Sequence, residues 1–250
     1  MLNTLVITTF SEDGYNLYGK KFIESWCKHW PKTYQLRIYA EHNLEVEDDR
    51  VEVVDLHSVS EDLVKFKTYS YQKAQNTTDK KQRNNYYRAV KWCHKVYAMK
   101  HALQNNSCDF VIFLDADTQT VAKVAENQLE ELCDNSVFAV HFERLRGQTH
   151  YETGLIIFDC NHSQIGLLQD HLTDDYDDFS IYDLDRPWDG FWLPILQDRY
   201  NLKVRDLADG KFRGVFTHPS VKNFLIHNVG KKKYHGTNYN KYTGKQKGNL

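Results

Sequence analysis

The sequence predicts an α/β fold with a mostly parallel central sheet and helices on both faces. Short apolar segments of strand length alternate along the chain with segments in which apolar residues recur at helical spacing. Such alternation is typical of parallel sheets, whose strands are connected by helices that cover the sheet. A chain of 250 residues is long enough to bury a core between these layers.

The first half of the chain supplies three predicted strands and one helix. The segment LVITTF (5–10) is a short buried strand, and the turn-rich SEDGY (11–15) after it is predicted to be a loop. Apolar and aromatic residues recur at helical spacing in YGKKFIESWCKHW (18–30). The segments QLRIYA (35–40) and VEVVDL (51–56) are the second and third predicted strands.

The second half begins with a strongly amphipathic helix predicted over 89–103. Its apolar face consists of Val90, Cys93, Val96, Tyr97 and Leu103. The strand FVIFL (110–114) follows, and the stretch from there to Cys133 is helical or a loop. Two further apolar segments, VFAVHF (137–142) and GLIIFD (154–159), complete the predicted sheet.

Composition and charge narrow the class of protein. The net charge of −2 gives no global attraction to nucleic acid or membrane, although 170–189 is strongly acidic and no acid follows Asp209. We expect 1–236 to form a single domain and 237–250 a basic, flexible tail. We expect no signal peptide, because a strand pattern begins almost at Met1, and no apolar run approaches the ~18 residues that span a bilayer. Five scattered cysteines without a CxxC pair indicate reduced thiols, so we expect a cytoplasmic protein.

Two aspartates, Asp115 and Asp117, directly follow the buried strand 110–114. In an open α/β sheet, ligands bind at the carboxyl ends of the strands. If the backbone stays extended, the two side chains share a face, where two carboxylates repel each other. A divalent cation removes the repulsion, because Mg²⁺ or Mn²⁺ is held by one or two carboxylates and by substrate phosphates. The alternative is that both aspartates cap the turn or helix that follows.

Four segments, in this order, resemble those of the GT-A glycosyltransferases. Asp115-Ala116-Asp117 is similar to the Asp-x-Asp of that group, with YYRAVKWCHKVYA (86–98) one helix upstream and HYETGLIIFD (150–159) downstream. HNVGKKKY (227–234) resembles the His-x-x-Gly-x-x-Lys of the retaining glycosyltransferases grouped as family 8. The chain also looks like a group of uncharacterised phage and bacterial glycosyltransferases, and the resemblance covers roughly residues 5–236.

The resemblance implies a GT-A fold, which is a Rossmann-like α/β sheet, and transfer of sugar from a nucleotide diphosphate sugar, with a UDP-sugar as the favoured donor. It also implies that Asp115, Asp117 and His227 hold a divalent metal. An imidazole ligand favours Mn²⁺ over Mg²⁺. Gly230 and Lys233 would contact the diphosphate, because glycine permits a close backbone approach and lysine supplies a positive charge.

Further candidates for donor binding lie near the first strand and on the helix before the aspartates. Arg88 and Lys95 are seven residues apart and share a helix face, from which they would reach the phosphate or the sugar. Lys91 is expected to lie on a solvated face of the same helix, without a role in donor binding. Thr9 and Tyr15 would contact the nucleobase of the donor, although Tyr15 fits aromatic packing equally well.

Two carboxylates are candidates for the reacting centre, Glu152 in YETG and Asp189 in PWDGFW. Glu152 precedes a predicted strand and would face the cleft, where it could form a transient covalent intermediate. Asp189 lies among aromatic residues, so apolar neighbours are expected around its carboxyl. It would act as the general base if configuration were inverted. Family 8 members often carry Asn before Ser-Gly and Asp-Gln near the acid, whereas this chain has Glu152 and Asp189-Gly190 at these places. Retention, favoured by His-x-x-Gly-x-x-Lys, and inversion therefore both stay open.

Other functions and several acceptors are compatible with the same residues. A nucleotidyltransferase would share the fold and the metal, but it would usually carry a Gly-rich loop with Lys after the first strand. A non-catalytic nucleotide- or sugar-binding protein and a nucleic-acid-binding module are the remaining alternatives. The acceptor is open between a modified, hydroxymethylated base in phage DNA and a surface glycan or lipid. The oligomeric state is not predicted.

Overall fold

A computed structural model describes residues 2–145, 148–208, 211 and 214–228, with a seven-stranded sheet at its centre. The strands are β1 (Thr4–Phe10), β2 (Gln35–Ala40), β3 (Val51–Asp55), β4 (Phe110–Leu114), β5 (Thr118–Thr120), β6 (Phe138–Leu145), β7 (Gln148–Asp159), β8 (Val204–Asp206) and β9 (Leu225–His227). The central sheet has the order β3-β2-β1-β4-β7-β6-β8, and β5 and β9 form a separate ladder.

Most neighbouring strands of the central sheet are parallel, so the predicted sheet type is confirmed. β1 pairs in parallel with β2 and β4, β2 with β3, and β6 with β8. β7 instead runs antiparallel to both β4 and β6. Because Leu114 at the end of β4 pairs with Leu155, the part of β7 before Leu155 extends beyond the carboxyl end of β4.

Seven helices of the described residues surround the sheet. They are α1 (Glu12–Gly14), α2 (Lys20–His29), α3 (Glu61–Asn76), α4 (Lys80–Gln104), α5 (Ile165–His171), α6 (Asp174–Asp177) and α7 (Asp189–Tyr200). A π-helical turn, Tyr15–Gly19, joins α1 to α2, and 3₁₀ turns lie at Leu56–Ser58, Glu130–Leu132, Ser180–Asp183 and Val215–Thr217. Among these described helices, none has the length and apolar character needed to cross a membrane.

Side chains of the central strands alternate between two apolar layers, as the two-residue period of a strand requires. On β1, Leu5 and Ile7 pack in the layer that contains residues of α4, while Val6 packs in the layer that contains residues of α2. Helices therefore cover both faces of the sheet, as predicted. The predicted apolar face of α4 is buried throughout. All five cysteines are free thiols.

Two predictions about where helices begin are wrong, because capping side chains start the helices earlier in the chain. SEDGY, predicted to be a loop, is helical from Glu12, because the hydroxyl of Ser11 accepts the N–H of Gly14 at 3.2 Å and caps the turn. The helix predicted over 89–103 begins earlier, at Lys80, where the carboxylate of Asp79 accepts a first-turn N–H at 2.6 Å. α3 is a helix that the hydrophobic pattern does not predict.

Candidate active site

A cavity of about 460 Å³ opens at the edge of the sheet where β1 and β4 end. Its wall includes Thr9 from β1, Asp115 and Asp117 from the turn after β4, Glu152 from β7, and Asp189 from the start of α7. The antiparallel course of β7 is what brings Glu152 to this edge, because the strand continues past the end of β4. Polar side chains from four separate parts of the chain thus meet in one cavity.

The β5–β9 ladder brings His227 to the two aspartates. Thr118 of β5 pairs with His227, and the N–H of Asn228 donates to the carbonyl oxygen of Asp117 at 2.9 Å. The Nε2 atom of His227 lies 3.0 Å from Oδ1 of Asp117 and 3.7 Å from Oδ2 of Asp115. The three residues predicted as metal ligands are therefore adjacent in the structure.

The backbone between the two aspartates turns instead of staying extended. The N–H of Thr118 donates to the carbonyl oxygen of Asp115 at 2.9 Å, which closes a tight turn. The extended geometry assumed from the sequence is therefore wrong. The two carboxylates nevertheless converge, because both lie beside the same nitrogen of His227.

Glu152 contacts the opposite side of the His227 ring. Its Oε1 lies 3.4 Å from Nδ1, and its Oε2 accepts the N–H of Val215 at 3.2 Å. Burial opposes the charged imidazolium, but hydrogen bonds to Asp117 and Glu152 outweigh burial and raise the pKa of His227 to about 10. A ring that is protonated on both nitrogens therefore bridges carboxylates on its two sides.

The residues of this cluster fit a divalent cation. One ligand atom from each of Asp115, Asp117 and His227 lies within 4.8 Å of the others. Burial raises the pKa of Asp115, and the neighbouring Asp117 raises it further, although Lys95 favours the ionised form. A metal ion would relieve that repulsion and take the place of the proton on Nε2. Two carboxylates and an imidazole are suitable ligands for such an ion.

Lys95 joins the cluster to Asp189. Its Nζ lies 3.0 Å from Oδ1 of Asp115 and 2.9 Å from Oδ2 of Asp189, and it donates to the hydroxyl and carbonyl oxygens of Thr153. Burial disfavours the charged lysine, but the two carboxylates outweigh it and raise the pKa of Lys95. The Asp189 carboxylate is only 1% exposed and also accepts the hydroxyl of Thr153 at 2.7 Å. The expected apolar surroundings of this carboxylate are therefore replaced by polar partners.

Two glycines permit the close approach of these elements. A Cβ on Gly190 would lie 2.4 Å from the carbonyl oxygen of Tyr151, so only glycine lets α7 begin this close to β7. A Cβ on Gly154 would lie 3.0 Å from Cε1 of His227. A larger residue at position 190 would clash with the backbone of β7, and one at position 154 would press against the ring of His227.

Of the other predicted site residues, one lines the cavity and two lie outside the described wall. Thr9 lines the cavity, with its hydroxyl donating to the carbonyl oxygen of Tyr39 at 2.8 Å. Tyr15 is absent from the described cavity wall and packs against Phe10 and His42, as its alternative prediction holds. Arg88 is exposed and lies over the ring of Trp188, outside that wall. Gly230, Lys233 and the tail 237–250 lie outside the described residues.

The cavity also contains residues that the sequence reasoning missed. Glu41 lies directly after β2, and His94 contacts it through Nδ1 at 3.0 Å. Tyr18, Lys91 and Trp92 complete this part of the wall. Glu41 follows a predicted strand, and ligands of open α/β sheets bind at the carboxyl ends of strands. The rule that identified the residues after β1 and β4 could therefore have identified Glu41 as well. Trp92 and Lys95, three residues apart on α4, both line the cavity, but only Lys95 is predicted from the sequence.

The described fold is similar to two solved glycosyltransferase structures. The apo form of mouse xyloside xylosyltransferase 1 aligns with a TM-score of 0.53 and 11% identity, over 82% of this chain and 84% of that chain. The glycosyltransferase GlyE of Streptococcus pneumoniae TIGR4 aligns with a TM-score of 0.54 and 11% identity, over 95% of this chain and 57% of that chain. No protein-family model matches the sequence, and neither does any curated protein.

These similarities define the fold. The chain has the α/β fold of GT-A glycosyltransferases, as the motifs in the sequence predict. It spans 57% of the GlyE chain. At 11% identity, the likeness carries no information on donor or acceptor, so the chemistry must be argued from the residues of the cavity.

Proposed function

We propose that the protein is a metal-dependent glycosyltransferase that moves a sugar from a UDP-sugar to an acceptor hydroxyl. The observation that carries the proposal is the cluster of Asp115, Asp117 and His227 in the cavity of a fold shared with glycosyltransferases. A volume of about 460 Å³ is within the range of roughly 300–1,000 Å³ that small-molecule and cofactor sites occupy.

Asp115, Asp117 and His227 would hold the divalent cation, and the imidazole ligand favours Mn²⁺ over Mg²⁺. When bound, the cation neutralises the donor diphosphate and stabilises the charge that grows on it as the sugar departs. Gly230 and Lys233 stay predicted contacts of the diphosphate. They follow His227 closely in the sequence, which is compatible with that role.

We assign Glu152 a positioning role instead of the nucleophilic role considered from the sequence. Its carboxylate is occupied by Nδ1 of His227 and by the N–H of Val215. A carboxylate that accepts the Nδ1 proton fixes the ring so that Nε2 points to the metal, and it makes that nitrogen a stronger ligand. Glu152 therefore supports the metal site from behind.

Asp189 and Lys95 are proposed to position Asp115. The Lys95 ammonium is shared between Asp115 and Asp189, so it is less available to a donor phosphate than the sequence suggested. The general base of an inverting reaction must reach the acceptor hydroxyl. Asp189 is 1% exposed and bonded to Lys95 and Thr153, and this observation supports retention over inversion.

A panel of nucleotide sugars, incubated with the protein and Mn²⁺, tests the proposal. We expect slow release of UDP from one UDP-sugar, through hydrolysis or transfer, and no release after chelation of the metal. Asp117→Ala should abolish the release. His57→Ala, which changes a residue outside the cavity wall, is the matched control and should retain it. Metal-independent release, or release by Asp117→Ala at the wild-type rate, would contradict the proposal.

The products of the same assay separate the alternatives. A nucleotidyltransferase would consume a nucleoside triphosphate and release pyrophosphate instead of a nucleoside diphosphate. A non-catalytic binding protein would bind the nucleotide without turnover. The DNA or surface-glycan acceptor and the cytoplasmic location stay predictions.

A further inference from the structure

Four aromatic side chains, which we call the aromatic rim, line the cavity: His150, Trp92, Trp188 and Phe191. Trp92 stacks on Trp188, with ring centroids 5.6 Å apart and planes 16° from parallel. His150 stacks on Phe191 at 5.0 Å and 14°. All four are partly exposed. A guanidinium group also lies over Trp188 and over Phe191, so a sugar would stack its apolar face on Trp92 or His150 and leave its hydroxyls free.

Three cations surround the rim. The guanidinium carbon of Arg88 lies 5.3 Å from the ring centroid of Trp188, and that of Arg186 lies 4.9 Å from the centroid of Phe191. Lys91 is exposed and lines the cavity. Within the described residues, none of the three cations forms an ion pair with a carboxylate of the protein. Stacking on the rings therefore orders the two guanidinium groups without neutralising them.

The acidic segment around the rim does not cancel these charges through direct contacts. Asp174, Asp175 and Asp177 are bonded to a histidine, an arginine and a tyrosine outside the rim. Asp183 and Asp185 are exposed, and neither forms an ion pair within the described residues. Arg88, Lys91 and Arg186 thus remain available to a ligand.

The position of the cations indicates which ligand they serve. Arg88, Lys91 and Lys95 follow one another at helical spacing on α4, and Lys95 ends at Asp115 and Asp189 beside the metal cluster. Each turn along the helix from Lys95 is about 5.4 Å, and the side chains change from largely buried at Lys95 to exposed at Lys91 and Arg88. The rim therefore begins next to the reacting centre and leads to the outside. An acceptor enters along such a path, whereas the donor diphosphate belongs at the cluster itself.

We propose that the acceptor is an anionic saccharide, whose ring lies on the aromatic rim and whose carboxylate or phosphate is bound by Arg88, Arg186 and Lys91. The inference rests on the proposed glycosyltransferase function. Guanidinium groups recognise carboxylate and phosphate through paired hydrogen bonds. Three cations match one or two anionic groups on a small ligand. Nucleic acid instead requires a groove that contacts many phosphates, and the net charge of −2 does not favour such a partner.

Matched glycoside pairs test the charge of the acceptor. Methyl β-D-glucuronide is compared with methyl β-D-glucoside, and glucose 6-phosphate with glucose, by saturation-transfer NMR titration of the full chain, with and without UDP and Mn²⁺. We expect the anionic member of at least one pair to bind 10-fold or more tightly, in line with the strength of charge-assisted hydrogen bonds. Equal binding within both pairs, or no binding of any of the four compounds, would overturn the proposal.

Variants of Arg88 and Arg186 test whether these two cations cause the preference for an anionic glycoside. Arg88→Met combined with Arg186→Met should remove the preference for the anionic member, while Arg88→Lys combined with Arg186→Lys should restore part of it. Lys28→Met, at an exposed position on α2, changes the charge without touching the rim and should leave the preference unchanged. An undiminished preference in the double Met variant would overturn the assignment of these arginines.

Two further arms test the competing acceptor class and the donor site. A single-stranded oligonucleotide containing 5-hydroxymethylcytosine represents nucleic acid as the acceptor, and tighter binding of this probe than of every anionic glycoside would overturn the proposal. Calorimetry of UDP with Mn²⁺ on the same samples tests the donor site separately. Loss of UDP binding counts against the glycosyltransferase function, whereas the charge preference among glycosides decides the acceptor class.

Discussion

Two clusters of carboxylate and imidazole side chains lie near the carboxyl edge of the sheet, and they differ in the charges around their ligand atoms. Asp115, Asp117 and His227 form the first, and we call Glu41, His57 and His94 the second cluster. In both, one ligand atom from each residue lies within 4.8 Å of the others. The spacing of ligand atoms alone therefore does not distinguish the two.

The difference lies in the charges that surround the ligand atoms. Four carboxylates lie in or beside the first cluster: Asp115 and Asp189 contact Lys95, and Asp117 and Glu152 contact His227. The second cluster has one carboxylate, and the ammonium of a lysine already lies 3.7 Å from it.

The pKa values of His94 and His227 differ in the way that these charges predict. Burial lowers the pKa of His94 despite Glu41, whereas carboxylates on two sides raise that of His227 to about 10. The carboxylates around His227 therefore favour a positive charge at the first cluster, whereas burial disfavours one at His94.

The largest effect is expected from removing the lysine of the first cluster. Lys95→Met removes the lysine that neutralises Asp189, which is 1% exposed, and that also contacts the partly buried Asp115. It should lower the free energy of unfolding by about 3–5 kcal/mol, because a buried carboxylate loses its charged partner. Lys67→Met is the matched change in the second cluster, where the contact with Glu41 is longer, and should cost about 1 kcal/mol or less. Urea unfolding of both variants measures the difference. Equal losses would show that the two lysines are equivalent.

The next effect concerns the metal ligands. Asp117→Ala removes a carboxylate at 3.0 Å from Nε2 of His227. It should weaken Mn²⁺-dependent binding of UDP by more than about 100-fold, because loss of a residue that only hydrogen-bonds to a metal ligand already costs about 10- to 100-fold. Calorimetry with a circular-dichroism check of the fold measures it. A folded Asp117→Ala protein with unchanged affinity would remove Asp117 from the metal site.

A smaller effect is expected from Glu152, which contacts the proposed metal ligand His227. Glu152→Gln keeps the shape of the side chain and an oxygen for the N–H of Val215, but it loses the charge beside Nδ1 of His227. We expect the affinity for Mn²⁺ to fall by about 10- to 100-fold, because the ring is held less firmly and is a weaker ligand. Mn²⁺ titration followed by electron paramagnetic resonance measures the affinity. A complete loss of turnover with normal metal affinity would instead restore Glu152 as a catalytic residue.

The smallest effect is expected in the second cluster. His57→Ala should change the affinity for Mn²⁺ and the stoichiometry of binding by less than about 2-fold, because the ammonium of Lys67 lies 2.5 Å from Nε2 of His57 and disfavours a second cation there. The same paramagnetic titration tests this expectation. A drop from two bound ions to one would show that charge balance does not exclude the second cluster.

Local patterns in the sequence predict much of the fold. Continuous apolar segments locate β1 and β4, and the aspartates after β4 locate the edge of the cavity. The helical continuation through SEDGY is missed because one capping hydroxyl outweighs the turn tendency of these residues. The packing of Tyr15 away from the cavity follows from that helix.

Long-range pairing accounts for what the sequence does not predict at the site. The motif around His227 predicts a metal ligand, but only the β5–β9 ladder shows how it reaches Asp117. The contact of Glu152 with the same ring depends on β7 running antiparallel to β4. The sequence identifies Lys95 as a cation on the correct helix, yet its partners come from the turn after β4 and from the start of α7. Strand register and helix docking are tertiary properties that no local pattern encodes.

Calorimetric titration of UDP into the full chain, with and without Mn²⁺ and beside GDP, CDP and ADP, tests the central claim most directly. If the carboxylates of Asp115 and Asp117, with His227 as the third ligand, hold a cation for the donor diphosphate, UDP will bind with Mn²⁺ and not without it. UDP binding that is equally strong without metal, or no binding of any of the four nucleotides in the presence of Mn²⁺, would contradict the account.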